Sequence, residues 1–320
     1  MSETKTQKTY KLLNTDTKIH LGRTLYRIQA LVEIDFGGGE VVHKGDKGGY
    51  LESEANLSQA EAWVFGEVAI VGETSICDGA SIGNGARIGN GASIGNEAII
   101  GNGARIGNGA IIGNGAIIGD WASIGNGAII GDWASIGNGA SICDRAIICD
   151  RARIGNGASI GDWASIGDWA SICDRAIIGN GARIGDRARI GNGASIGNGA
   201  SIGDWASIGN GAGIGNGASI LTTLDHLIFG PIGSAGRICT LFRKVVSGRV
   251  VALVRAGCFE GTIDEFAYEV KQTHGETDIA KEYLSILPLL RFRAQFRFSE
   301  LTEEEKQSAN EAKAESEVRS

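Results

Sequence analysis

The chain has 320 residues, a formal net charge of −7 and 42% hydrophobic residues, with 51 glycines against two prolines. The glycines follow no Gly-X-Y period and proline is scarce, which excludes collagen and a disordered low-complexity chain. Arg and Asp are mixed through the middle of the chain without a basic stripe, so nucleic acid is not an expected partner.

Residues 1 to about 9 are polar, no apolar stretch typical of a signal peptide lies between Met1 and Tyr10, and no run of eighteen apolar residues occurs. A cytoplasmic protein that neither enters nor crosses a membrane is expected. Tyr10–Leu13 and Thr24–Val32 predict strands, and Gly37–Gly39 and Gly48–Gly49 interrupt the stretch after them. From Leu51 a sixfold beat begins irregularly through Leu57, Val64 and Ile70, with one extra residue between Leu57 and Val64, as a capping repeat would.

From Ile76 to Ile220 an isoleucine stands at every sixth position without a slip, 25 in all. The unit is Ile-Gly-Asn-Gly-Ala-X, with Cys as an occasional first Gly and Asp-Trp or Asp-Arg in place of Asn-Gly. Such self-similarity outranks propensity, which would read Gly, Asn, Asp and Ala as coil. A period of six fits a short strand plus a tight turn, with residues two apart on one face, so each Ile and the Ala before it point the same way. Asn, Asp and Gly suit the turn. The third turn position also accepts Trp, Arg or Glu97, so a positive φ is not expected to be compulsory there.

These residues resemble the hexapeptide-repeat, left-handed parallel β-helix proteins, in which three hexapeptides make one triangular coil. The resemblance implies about eight coils over residues 76–220, each adding roughly 4.8 Å. The segment "TLYRIQALVEIDFGGGEVVHKGDKGGYLESEANLSQAEAWVFG" before the repeats, and "GPIGSAGRICTLFR" and "GCFEGTIDEFAYEVKQTHG" after them, are similar to a subgroup of bacterial and prophage hexapeptide proteins that carry a transferase label. The fold class expected is therefore mainly β, a left-handed parallel β-helix with a small C-terminal α+β domain. Its divisions are a β-rich cap over 1–50, the β-helix over 51–220, the α+β domain over 221–298 and a charged tail, disordered in expectation, over 299–320.

Beyond the repeats, Arg237–Arg243 and Arg249–Arg255 predict two strands joined around Ser247-Gly248. Thr262-Ile-Asp-Glu265 is a capping box opening a helix that runs to Gly275. A second helix is expected from about Asp278 to beyond Leu290, kinked or staggered by Pro288.

Six cysteines, at 77, 143, 149, 173, 239 and 258, include no Cys-x-x-Cys and no neighbouring His in the repeats, so neither a metal site nor a disulfide framework is implied. With eighteen residues per coil, outward positions stack in columns. Ile99, Ile111, Ile117, Ile129 and Ile147 gather on two neighbouring faces, either as scattered β-branched surface residues or as a self-association surface, since an exposed apolar patch usually has a partner. A homo-oligomer is expected, and the trimers common among hexapeptide proteins bear on its size. One corner alternates Trp133, Arg151, Trp169, Arg187 and Trp205 beside a column of aspartates, either a structural stack or a recognition ridge.

The resemblance implies that the family's acyltransferases use a histidine base in or beside the coils, commonly an extruded loop, and acyl-CoA bound between subunits. No histidine occurs between Ile76 and Ile220, and the four present are His20, His43, His226 and His274. His226 and His274 are weighed as a base only if the C-terminal domain folds back over the last coils, and Cys258 with His274 as a thiol and its base. The reading reached is a non-enzymatic binding or assembly scaffold without a cofactor. Its alternative is an acyltransferase using acyl-CoA, with the site at the caps or between subunits.

Overall fold

The computed structural model describes residues 8–298 apart from residues 21, 38, 234, 235 and 247. The tail expected over 299–320 lies outside the described residues, as does Ser247 of the expected turn. Two compact units divide the chain after Ala176.

In the first unit, strands β1 (Tyr10–His20) and β2 (Arg23–Ala30) pair antiparallel with an irregularity between Leu13 and Thr17. β1 therefore passes well beyond Leu13. Its second half, Asn14 to His20, is too polar to show a strand pattern, yet the ladder to β2 needs only backbone groups. The strand Lys47–Leu51 pairs antiparallel with β2 and parallel with Ala69–Ile70, joining the cap to the first rungs.

From there each hexapeptide supplies a two-residue rung and a turn, and from Ser75–Ile76 to Arg153–Ile154 each rung pairs in parallel with the rung eighteen residues on. Ile76 sits beside Ile94, and Ile94 beside Ile112. The repeating alanines and isoleucines point inward, with Ala98 0% and Ile100 1% exposed. A buried isoleucine contributes about 1.5–3 kcal/mol, too little for a coil of eighteen residues alone, so stability comes from stacking coil on coil.

The turns explain the other four letters of the repeat. A Cβ on Gly113 would lie 2.6 Å from the backbone N of Asp132, so the first glycine lets neighbouring coils approach. The Asn or Asp side chain accepts from the backbone of the coil before it: the Asn114 N–H donates to Asp132 Oδ1 at 2.7 Å, and the Asp132 N–H to Asp150 Oδ1 at 2.9 Å. At the third position the backbone is left-handed throughout, including Glu97, Trp121, Trp133, Arg145, Arg151, Trp163, Trp169 and Arg175, at φ of 57–59°. This corrects the expectation that a positive φ is not compulsory. A non-glycine residue there costs about 1–2 kcal/mol. The side-chain ladder and a backbone bond from this same residue, as in Trp133 N–H to Asn114 O at 2.8 Å, hold it in place.

In the second unit the same pattern runs from Ile177–Ile178 to Ser219–Ile220, with Ile177 beside Ser195 and Ser195 beside Gly213. A four-stranded antiparallel sheet follows in sequential order, His226–Ile232, Arg237–Val246, Arg249–Ala256 and Phe259–Thr262. One bridge pairs Ala218 with Lys244, and the Gly213 N–H donates to Thr240 Oγ1 at 3.1 Å, so this sheet covers the open edge of the last rungs.

Three helices close the other side: α1 (Ile263–His274), α2 (Asp278–Ser285) and α3 (Leu287–Arg297), around a core that includes Leu241, Val254, Phe266, Val270, Tyr283 and Leu290. The capping box is formed, with the Glu265 N–H donating to Thr262 Oγ1 at 3.2 Å and the Thr262 N–H to Glu265 Oε2 at 2.7 Å. α1 ends at Gly275 with φ +59°. The second predicted helix is two: Pro288 falls in the first turn of α3, where its missing N–H is harmless, so the chain breaks at Ile286 rather than bending.

Candidate functional site

The isoleucines and the tryptophan-corner residues that the sequence singles out are on the surface. Ile99 and Ile117 are neighbours on one sheet, and Ile111, Ile129 and Ile147 form a row on another, each about two-fifths to one-half exposed. On the tryptophan corner, the Arg151 guanidinium lies 5.0 Å from the Trp169 ring centroid, and Arg187 lies 4.7 Å from Trp205. Trp133 meets a glycine instead, its ring folding onto Gly115. A second corner repeats the device, with Arg145 4.8 Å from Trp163. Each ring thus covers the turn of the coil before it.

The histidines separate clearly. His226 is 6% exposed, its Nδ1 has no hydrogen-bond partner, and burial pushes its pKa below the ordinary value against a smaller opposing effect of Asp225. A buried imidazole of this kind is not placed to receive a proton from a substrate. His274 stacks on Tyr283 at 5.8 Å between ring centroids, and His43 lies 3.3 Å from Glu33. Cys258 and His274 line one cavity of the C-terminal domain.

His20 is different. It stands at the exposed end of β1, and with Lys18 it lines a cleft of about 670 Å³ against the early coils, whose opposite wall includes Arg87, Asn90 and Asn108. Lys18 Nζ lies 5.5 Å from the Tyr50 ring centroid, and Glu67, also in the cleft, pairs with Arg27 at 2.7 Å. Arg87 stands beside Arg105 on the next rung, and both line an adjoining groove with Ser123, Asn126 and Asp144. An imidazole, three cations and several amide groups therefore share one side of the first unit. Sequence reasoning passes over His20 because the polar half of β1 gives no sign that it is a strand lying along the coils.

The bacterial transferase hexapeptide family (six repeats) matches residues 151–186 and 181–216, and the GMPPB C-terminal domain family matches residues 70–161. The solenoid is a hexapeptide-repeat, left-handed β-helix. Among solved structures, the chain is similar to UDP-N-acetylglucosamine O-acyltransferase (LpxA) from Moraxella catarrhalis RH4, at 20% identity over 69% of this chain and 91% of that one, with a TM-score of 0.47. The UDP-N-acetylglucosamine acyltransferase of Francisella novicida is 20% identical over 50% of this chain and 65% of its own, with a TM-score of 0.34. The acetyltransferase domain of PglB from Neisseria gonorrhoeae FA1090, solved with acetyl coenzyme A, is 24% identical over 34% and 47%, with a TM-score of 0.20. No curated protein matches by sequence.

The match of the repeats to the bacterial transferase hexapeptide family overturns the reading of a non-enzymatic scaffold. That reading rests on the missing histidine and the missing extruded loop within the coils. His20 of the cap flanks the early coils.

Proposed function

We propose that the protein is an acyltransferase that draws on acyl-CoA, with its site in the cleft between β1 and the early coils. The observation that carries this reading is the placing of His20 and Lys18 opposite Arg87 in that cleft, on a solenoid whose repeats match the transferase family. Acyl-CoA supplies the acyl group as a thioester. Lys18, Arg87 and Arg105 suit its phosphates, since cations gathered along one groove attract polyanions. His20 takes the proton of an acceptor hydroxyl or amine as that atom attacks the acyl carbonyl, a role worth about 10²–10⁴-fold in rate. Asn90 and Asn108 offer amide donors along the same wall.

We further read the chain as a cytoplasmic homo-oligomer. All six cysteines are free, which suits a reducing compartment, and no helix among the described residues is long and apolar enough to cross a membrane. The isoleucine rows offer the apolar contact for self-association. The test of the activity is release of free CoA from acetyl-CoA in the presence of a panel of amino and hydroxyl sugars, followed by thiol reagent. His20→Ala should abolish release, while His274→Ala should not change it. Equal rates for the wild type and the His20 variant would remove His20 from the chemistry.

A further inference from the structure

The C-terminal domain holds a second cavity, of about 440 Å³, that acyl transfer in the first cleft leaves unused. Its apolar wall comes from Phe259, Phe266, Val270 and Tyr283. Phe266 lies 5.7 Å from Phe259 and 5.9 Å from Tyr283 between centroids, so the rings form one aromatic surface. Phe266, Glu269, Val270 and Thr273 share a face of α1 by their spacing, which brings a carboxylate to the same wall.

Opposite charge enters from the sheet. Arg237 lines the cavity, and its guanidinium passes over Gly257, where any Cβ would collide with Nη1. Gly257 also holds φ +65°, so the backbone asks for glycine there. Among the described residues, neither Arg237 nor Glu269 has an ion-pair partner, although Arg255 and Glu260 nearby find each other at 3.9 Å. Two opposite charges thus face one aromatic cavity without meeting. A cavity of this size, mostly apolar with a few convergent polar groups, is the form that small-molecule sites take.

The geometry points to a binding site for an apolar α-amino acid, its carboxylate on Arg237, its ammonium on Glu269 and its side chain against Phe259, Phe266 and Tyr283. A plain carboxylic acid would bring its charge toward Glu269, and a plain amine toward Arg237. A ligand with both charges on an apolar body meets Arg237, Glu269 and the aromatic wall together. Guanidinium and carboxylate match in planar, paired hydrogen bonds, which fixes orientation as well as charge. Cys258, exposed at the same cavity, serves as a reporter.

The test is calorimetry of the full chain with L-phenylalanine, 3-phenylpropanoate and 2-phenylethylamine, with the labelling rate of Cys258 followed by mass spectrometry. L-phenylalanine should bind at least tenfold more tightly than either single-charge analogue and should slow labelling of Cys258. Arg237→Gln should lose binding of L-phenylalanine. Glu269→Gln should weaken L-phenylalanine but not 3-phenylpropanoate. Both variants are at exposed positions, and an unchanged thermal midpoint shows that each is folded. The proposal is overturned by absence of both heat and protection, by 3-phenylpropanoate binding as tightly as the amino acid, or by undiminished binding in a folded Arg237→Gln protein.

Discussion

Arg151 and Trp169 occupy equivalent turn positions on successive coils, both with positive φ, and the guanidinium of one lies 5.0 Å from the ring centroid of the other. The contact is worth about 0.5–1 kcal/mol when exposed, while each left-handed non-glycine residue costs about 1–2 kcal/mol. The two effects can be separated by substitution. Trp169→Ala keeps the backbone cost and loses the stacking, so it should lower the unfolding midpoint. Trp169→Gly loses both and should be more stable than Trp169→Ala by about 1 kcal/mol. Denaturant melts of the three proteins check this, and an alanine variant at least as stable as the glycine one would refute it.

Asp150 accepts from the Asp132 N–H at 2.9 Å, one step of a side-chain ladder that climbs the corner. Replacing it by alanine leaves that donor without its acceptor and should cost about 1 kcal/mol. Asp150→Asn keeps an oxygen in place and relieves repulsion with Asp132 and Asp168, so its stability should equal or exceed that of the wild type, most clearly at low salt. Equal loss in both variants would mean that the charge, not the acceptor, holds the turn.

How much of this was legible in the sequence can be judged residue by residue. The columns Ile76, Ile94 and Ile112 come from spacing alone, because a period that never slips leaves no other register. Asn and Asp interchange at the second turn position because either side chain serves the same ladder. The positive φ of Trp133 and its equivalents was not legible: residue type argues against it, and only bonds to a neighbouring coil enforce it. His20 was missed for a related reason. Nothing in Asn14 to His20 marks a strand, so its position beside Arg87 is a product of the hairpin with β2.

The buried His226 gives a pH dependence with a fixed sign. Burial, aided by Arg293 and opposed by Asp225, lowers its pKa in the folded chain, so the unfolded state binds the extra proton more readily. The stability it contributes is present above the ordinary histidine value and declines as pH falls from about 6.5. His226→Gln should flatten the fall in unfolding free energy of the C-terminal domain between pH 7 and pH 5. A slope unchanged from the wild type would assign the effect to other groups.

Ile129 lies between Ile111 and Ile147 in one row and is 39% exposed. In an interface between subunits an aspartate there would be a buried, unpaired charge, which costs several kcal/mol unless the contact opens. Light scattering should show Ile129→Asp at a smaller mass than the wild type. An unchanged mass would return the row to ordinary surface.

Everything proposed for the activity depends on the cleft of His20, Lys18 and Arg87 receiving an acyl-CoA. Calorimetric titration of acetyl-CoA into the wild type and into Arg87→Glu decides whether it does. Arg87 projects outward from its rung beside Arg105, so its reversal leaves the core isoleucines untouched. Saturable binding to the wild type is expected, with affinity reduced at least tenfold in Arg87→Glu. Absence of binding to the wild type, or equal affinity in the two proteins, would rule out this cleft as the acyl-CoA site.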